Sequence, residues 1–210
     1  MTENSVQLNL NLKEEKNFYN MFLNDKFFGR IHKKIAEELK LTKLNVLTIK
    51  TMELLKNILK KQCLNKAIQL LTIRDHSTLE LVEKLKKTAN LKIINQTIEE
   101  LKNLNYLNDT NFATNLAKKL IIKKGLSKKR TIFELKLKGI DSQTAENVIA
   151  NLQINTNQNI INMIKKKYEI KQINNLKTKQ KIIRYFMQKG HSYEDIQTAI
   201  KSILNNSKDY

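Results

Sequence analysis

The chain has 210 residues, with 39 Lys plus Arg against 20 Asp plus Glu, for a formal net charge of +19. It holds no proline, no tryptophan, four glycines and one cysteine. Those counts exclude collagen-like and Pro-rich architectures, a turn-dense β-sandwich or barrel, an internal disulfide and a Cys-rich metal site. At 40% hydrophobic residues the chain can bury a core. No stretch approaches the roughly 18 uninterrupted apolar residues of a membrane span. The N-terminus lacks a basic segment followed by an apolar one, so a cytoplasmic chain without a secretory signal is expected. AT-rich codon use would raise Lys, but it should raise Glu as well, and acids remain half as numerous as bases. The excess is therefore read as serving a polyanion partner. A membrane surface fits less well, because no long terminal helix is both basic and strongly amphipathic.

Val6, Leu8, Leu10 and Leu12 alternate with polar residues, which is strand periodicity. Phe18–Leu23 is apolar, Asn24-Asp25 offers a turn, and Phe27-Phe28 resumes, so a small β-hairpin is predicted. Ile31, Ile35 and Leu39 are four apart and predict a short helix. A second helix begins near Thr48, with Met52, Leu55 and Leu59 on one face. From about residue 62 the chain reads as helices only. Ser77 with Glu80, and Ser192 with Asp195, have capping-box spacing. Asp109 precedes a stripe of Phe112, Ala113, Leu116, Ala117 and Leu120. Ser127 precedes a helix over 128–138, Asp141-Ser142 another, and Thr178 a helix over 179–189; Gly139 and Gly190 stand at helix ends.

These signals repeat. When Leu85, Leu135 and Phe186 are aligned, Ser77, Ser127 and Thr178 fall eight residues before them and Ala89, Gly139 and Gly190 four after. The period of about 50 predicts a mainly all-α fold of three tandem three-helix units. The expected divisions are a β-element with helices over 1–61, then repeats over 62–107, 108–153 and 154–210.

Several segments resemble the RecX regulatory proteins, modulators of the RecA recombinase. Arg74, Ser77, Glu80-Leu81 and Lys84-Leu85 look like that family's R-x-x-S-x-x-E-L-x-x-K-L signature. Tyr106-Leu107, Asp109 and Phe112-Ala113 are similar to its Y-L-D/N-D-x-x-F-A segment. Gly125, Glu134-Leu135 and Lys138-Gly139-Ile140 resemble its G-x-x-x-I-x-x-E-L-x-x-K-G-I stretch, and Gly190, Ser192-Tyr193 and Ile196 its R-R-G-F-S-Y-x-x-I. Tyr19–Asp25 with Phe27–Gly29 looks like the N-terminal segment of longer members. The likeness runs from about residue 17 to 204. His191 departs from the family's Phe and puts one apolar contact in question. Ala89-Asn90 departs from a glycine; Asn tolerates the left-handed conformation, so the stop can survive. The resemblance implies an elongated, curved body of tandem repeats. It implies a non-enzymatic cytoplasmic regulator, a monomer, that lodges in the RecA–DNA filament and inhibits it, or promotes its loss, in recombination, DNA repair and the SOS response. It also implies direct binding of single- and double-stranded DNA.

The bases are unevenly spread. Residues 109–153 carry 9 bases against 4 acids, and residues 154–210 carry 11 against 4, so these two units supply +12 of the +19. Lys118, Lys119, Lys123, Lys124, Lys128, Lys129 and Arg130 occupy thirteen positions without an acid. Lys119 and Lys123 share a helix face, and residues 124–130 span a helix end, a turn and a helix start, where lysines and free amides can meet a phosphate. Lys136 and Lys138, Lys165, Lys166 and Lys167, and Lys179 and Arg184 extend this candidate nucleic-acid and filament strip. It contains little aromatic interleaving, so backbone contacts are expected rather than base stacking. Tyr106, Phe112, Phe133, Tyr185 and Phe186 are read as core. His76 is read as a surface residue at a helix start, and Cys63 as a buried thiol. His32, His76 and His191 have no metal-ligand spacing and no phosphate loop is present, so no cofactor, metal or catalysis is expected. The competing readings are a helical-repeat protein that coats DNA or RNA without touching RecA and, last, a nuclease with a diffuse acidic metal site.

Overall fold

The alternation in the first residues folds into a sheet larger than a hairpin. In the computed structural model, which describes residues 8–205, β1 (Leu8–Glu15), β2 (Phe18–Leu23) and β3 (Lys26–His32) form an antiparallel meander. A two-residue β4 (Val46–Leu47) joins β1, giving the order β3-β2-β1-β4. Asn24 and Asp25 both take positive φ (46° and 62°), the twist a two-residue hairpin turn needs. Val6 lies outside the described residues. Ile31 belongs to β3, not to the helix its spacing predicted. α1 (Lys33–Glu38) starts beyond it, and His32 Nδ1 accepts the Lys34 amide at 3.3 Å.

α2 (Ile49–Ile73) begins at its cap Thr48 and buries Leu55, Leu59, Cys63 and Ala67, each four residues from the last. It runs unbroken through residue 62, where the sequence starts the first repeat. β3 crosses it at Gly29, where any Cβ would collide with Leu59. Burial pushes the Cys63 thiol up to about 11, which leaves it a packing residue rather than a nucleophile.

α3 (Thr78–Leu85) and α4 (Leu91–Asn103) complete the unit that ends at Asn108. Ser77 Oγ accepts the Glu80 amide at 3.2 Å, and Arg74 Nη1 meets Glu80 Oε2 at 2.9 Å. The Arg, Ser and Glu of the first motif thus build a helix start. His76 is not the surface residue expected. It is only 4% exposed, because its Nδ1 finds the Arg74 carbonyl at 2.9 Å and the ring can then be buried. Desolvation holds its pKa below the ordinary value of 6.5, although the bond to Arg74 opposes this. The folded state therefore binds fewer protons than the unfolded one, and stability is lost as pH falls from about 7. Urea midpoints taken between pH 7 and 5 should decline, and His76→Gln should flatten the decline. The carboxylates of Glu15 and Asp141, held low chiefly by hydrogen bonds from Asn20 and Thr144, lose their contribution only at lower pH.

The expected left-handed stop at Ala89-Asn90 is absent. Ala89 bridges Gly29, the Arg30 amide donates to the Thr88 carbonyl at 2.8 Å, and the Asn90 amide to Phe28 at 3.0 Å. Asn90 itself has φ −70° and caps α4. The sheet edge satisfies groups that a glycine turn satisfies in the other repeats, and the contact covers part of the β3 edge. In this stretch the left-handed Asn is Asn105, beyond α4.

The second unit, 109–210, begins with α5 (Asp109–Lys118), continued by a π turn over Lys119–Lys123. α6 (Lys128–Leu137) and α7 (Ser142–Asn151) follow, capped by Ser127 and Asp141. Their core holds Phe112, Ala113, Ala117, Ile121, Leu135 and Ile149. α8 (Thr156–Lys167), the one-turn α9 (Ile170–Ile173), α10 (Leu176–Gln188) and α11 (Tyr193–Asn205) enclose a second core that includes Ile160, Ile164, Ile182, Phe186 and Ile200. Thr178 does not cap α10. Asn175 does, three residues earlier, its Oδ1 accepting the Lys177 amide at 2.8 Å. The fold is mainly helical, as expected, with the sheet confined to the first unit.

Candidate nucleic-acid interface

Three hydrogen bonds join the two helical cores of the second unit along one seam. The Ser127 amide donates to the Lys189 carbonyl at 3.0 Å, His191 Nε2 to the Gly125 carbonyl at 2.9 Å, and Asn159 Nδ2 to the Ile121 carbonyl at 2.7 Å. At the end of α10 the Gly190 amide bonds to Met187 O and the His191 amide to Phe186 O, with Gly190 left-handed. His191 is 6% exposed, and its ring meets Phe186 edge-on at 5.7 Å between centroids. The departure from Phe therefore keeps the ring contact and adds a bond to the neighbouring repeat.

The seam sets the places of the basic residues. Lys123 and Lys124 end the π turn, and Lys128 and Lys129 open α6 immediately after Ser127; all four are exposed. None of these four lies in an ion pair among the described residues. Ser127 Oγ is committed to the Arg130 amide at 3.1 Å. Arg130 is partly spent, since it pairs with Glu134 at 3.0 Å and stacks over Phe133 at 5.0 Å. Lys136 sits 3.7 Å from Glu146, and Lys138 lies at the end of α6. Lys118, at the end of α5, faces a separate groove with Thr114, Ile122 and Asn151. Lys119 is exposed within the π turn. Lys165, Lys166 and Lys167 form the last turn of α8. Lys179 and Arg184 line a groove along α10 and α11 with Leu176, Met187 and Tyr193. The fourteen residues thus form one group at the seam and several outliers.

Tyr106, Phe133 and Tyr185 are not core residues. They are 61%, 49% and 39% exposed, whereas Phe112 and Phe186 are buried as expected. Helical spacing cannot separate a core stripe from its flank when the flank also carries rings. Lys189, placed by the sequence at a helix end, is absent from the fourteen candidate binding residues. Its Nζ lies 5.3 Å from the Tyr185 ring centre, and Lys167 Nζ lies 5.5 Å from the same centre. A basic residue immediately before a helix-ending glycine was the available signal. Among the described residues no group of three or more His, Cys, Asp or Glu could hold a metal ion, and no helix is long and apolar enough to cross a membrane.

Comparisons with known proteins bear on the fold and the family. A family model described as RecX, third three-helix domain, matches residues 157–200. A protein of Clostridioides difficile (strain 630), "Regulatory protein RecX", is 29% identical over 189 residues, covering 89% of each chain. Its counterpart in Listeria welshimeri is 31% identical over 200 residues, covering 92% of this chain and 73% of the relative. The crystal structure of RecX from Lactobacillus salivarius shares the fold, with a TM-score of 0.60 at 22% identity over 70% of this chain and 97% of that one. A second crystal structure, of regulatory protein RecX, gives 0.59 at 13% identity over 93% and 99%. At 31% identity over 92% of its length, the chain belongs to the RecX family of regulatory proteins.

Proposed function

We propose that this chain binds the RecA–DNA filament, and DNA itself, and restrains recombinase activity in recombination and repair without chemistry of its own. Family membership supports a regulatory role. The observation that carries the DNA part is the set of unpaired, exposed lysines on both sides of the Gly125–Ser127 turn, where two basic repeats meet. Lysines so placed can track a phosphate backbone and release its counterions. Exposed Phe133, Leu137 and Met187 in the same unit offer apolar contacts of the kind a protein partner covers. A cytoplasmic location fits such a partner.

RecA-dependent ATP hydrolysis on single-stranded DNA tests the reading. Sub-stoichiometric amounts of this chain should lower the rate, because one bound molecule would affect several recombinase protomers. Inhibition that appears only when all the DNA is coated would instead assign a DNA-coating protein that does not act on RecA.

A further inference from the structure

We infer that Tyr185, with Tyr168, Lys167 and Lys189, forms a binding site for an unpaired base of a single strand. Tyr185 stands on α10 with 39% of its surface exposed, although its neighbour Phe186 is buried. The two rings meet edge-on at 5.1 Å, which anchors the tyrosine, and its ring faces are met by cations. Lys189 comes from the end of α10 and Lys167 from the end of α8. The Lys167 ammonium lies 5.7 Å from the Tyr168 ring as well as 5.5 Å from that of Tyr185, so one cation sits between two tyrosines. Neither Lys167 nor Lys189 is in an ion pair among the described residues. Both cations are held by ring faces alone, and a nucleotide can replace that contact by stacking its base on a ring and giving its phosphate to an ammonium. Met163 and Ile182 line the hollow beside the rings, and such an apolar floor suits a base more than a bare phosphate. The Lys189 carbonyl accepts the Ser127 amide, which ties this cluster to the turn bearing Lys124 and Lys128.

This site rests on the proposed DNA binding, but it fails separately. It predicts base stacking, whereas the seam lysines need only a backbone. Three labelled probes separate the two: oligo(dT) of about fifteen nucleotides, an abasic strand of the same length, and a duplex. The full-length chain should bind oligo(dT) more tightly than the abasic strand. Tyr185→Leu should weaken oligo(dT) binding by roughly tenfold, while the abasic strand and the duplex change by less than about twofold. Tyr185→Phe, which keeps the ring, should restore oligo(dT) binding. Melting temperatures of both variants confirm the fold. The site is overturned if oligo(dT) and abasic strands bind alike, or if Tyr185→Leu changes neither or weakens both equally. Loss of binding to all three probes by the unaltered chain would sink the DNA reading itself.

Discussion

Reversing Lys123, Lys124, Lys128 and Lys129 to Glu should reduce duplex affinity at least ~100-fold and leave helix content unchanged. The four side chains are exposed and share no ion pair among the described residues, so reversal removes free cations without breaking an internal bridge. The local helix energies nearly cancel. Glu at positions 128 and 129 favours the start of α6, and Glu at 123 and 124 disfavours the end of the preceding turn, each by about 0.3–1 kcal/mol. Salt dependence gives the sharper readout. With about six phosphate contacts, log affinity should fall against log salt with a slope near −5 on duplex and about −4 on single strands. Removing four of them should bring the duplex slope to about −2. Filament inhibition should be lost with DNA binding. A control set, Lys26, Lys34, Lys43 and Lys50 to Glu, lowers the net charge of +19 by the same amount from the first unit. Equal losses in both sets would attribute binding to overall charge, and the strip would be wrong.

Most local chemistry was legible in the sequence, although Asn175 rather than Thr178 caps α10. Ser77, Ser127 and Ser192 act as helix caps because a cap needs only a hydroxyl and an amide three residues on. Leu85, Leu135 and Phe186 are all buried because the repeat carries its own core position. What sequence could not show depends on partners far along the chain. Ala89 aligns with two left-handed glycines, yet it pairs with Gly29, sixty residues earlier, and needs no such turn. His76 looked solvent-facing because nothing local shows that a ring bonded to the Arg74 carbonyl can be buried. Tyr185 and Phe186 are adjacent rings at apolar positions, and only the packing of α10 on the core shared with α8 and α11 decides which is inside. The same holds for the candidate site. A run of lysines around Gly125 was visible, but Lys189 enters only through the backbone bond that Ser127 makes to it.

That bond makes Gly190 a sensitive position in the second unit. Gly190→Val should destabilise the protein by about 3 kcal/mol, a fall of roughly 6–12 °C in melting temperature. Two effects add. At φ +88° a side chain is strained in any case, and a β-branched one most of all. A Cβ there would also lie 2.8 Å from Ser127 Oγ and 2.9 Å from Arg130 Cβ; the hydroxyl can move only by leaving its cap, and a Cβ only with its backbone. Ser127 Oγ is the cap of α6, so displacing it frees the Arg130 amide and adds about 1 kcal/mol. Gly190→Asn separates the two effects, since Asn tolerates the left-handed region but carries the same Cβ. It should retain about half the loss; a variant as stable as the unaltered chain would show that strain alone matters and that the seam has room. The consequence reaches the proposed interface. Ser127 and Lys189 hold the two basic segments in register, so DNA affinity in Gly190→Val should fall at temperatures where both repeats are still folded. Circular dichroism and binding followed on the same samples would expose the difference. Intact binding in a melted-seam variant would mean that each repeat meets DNA alone.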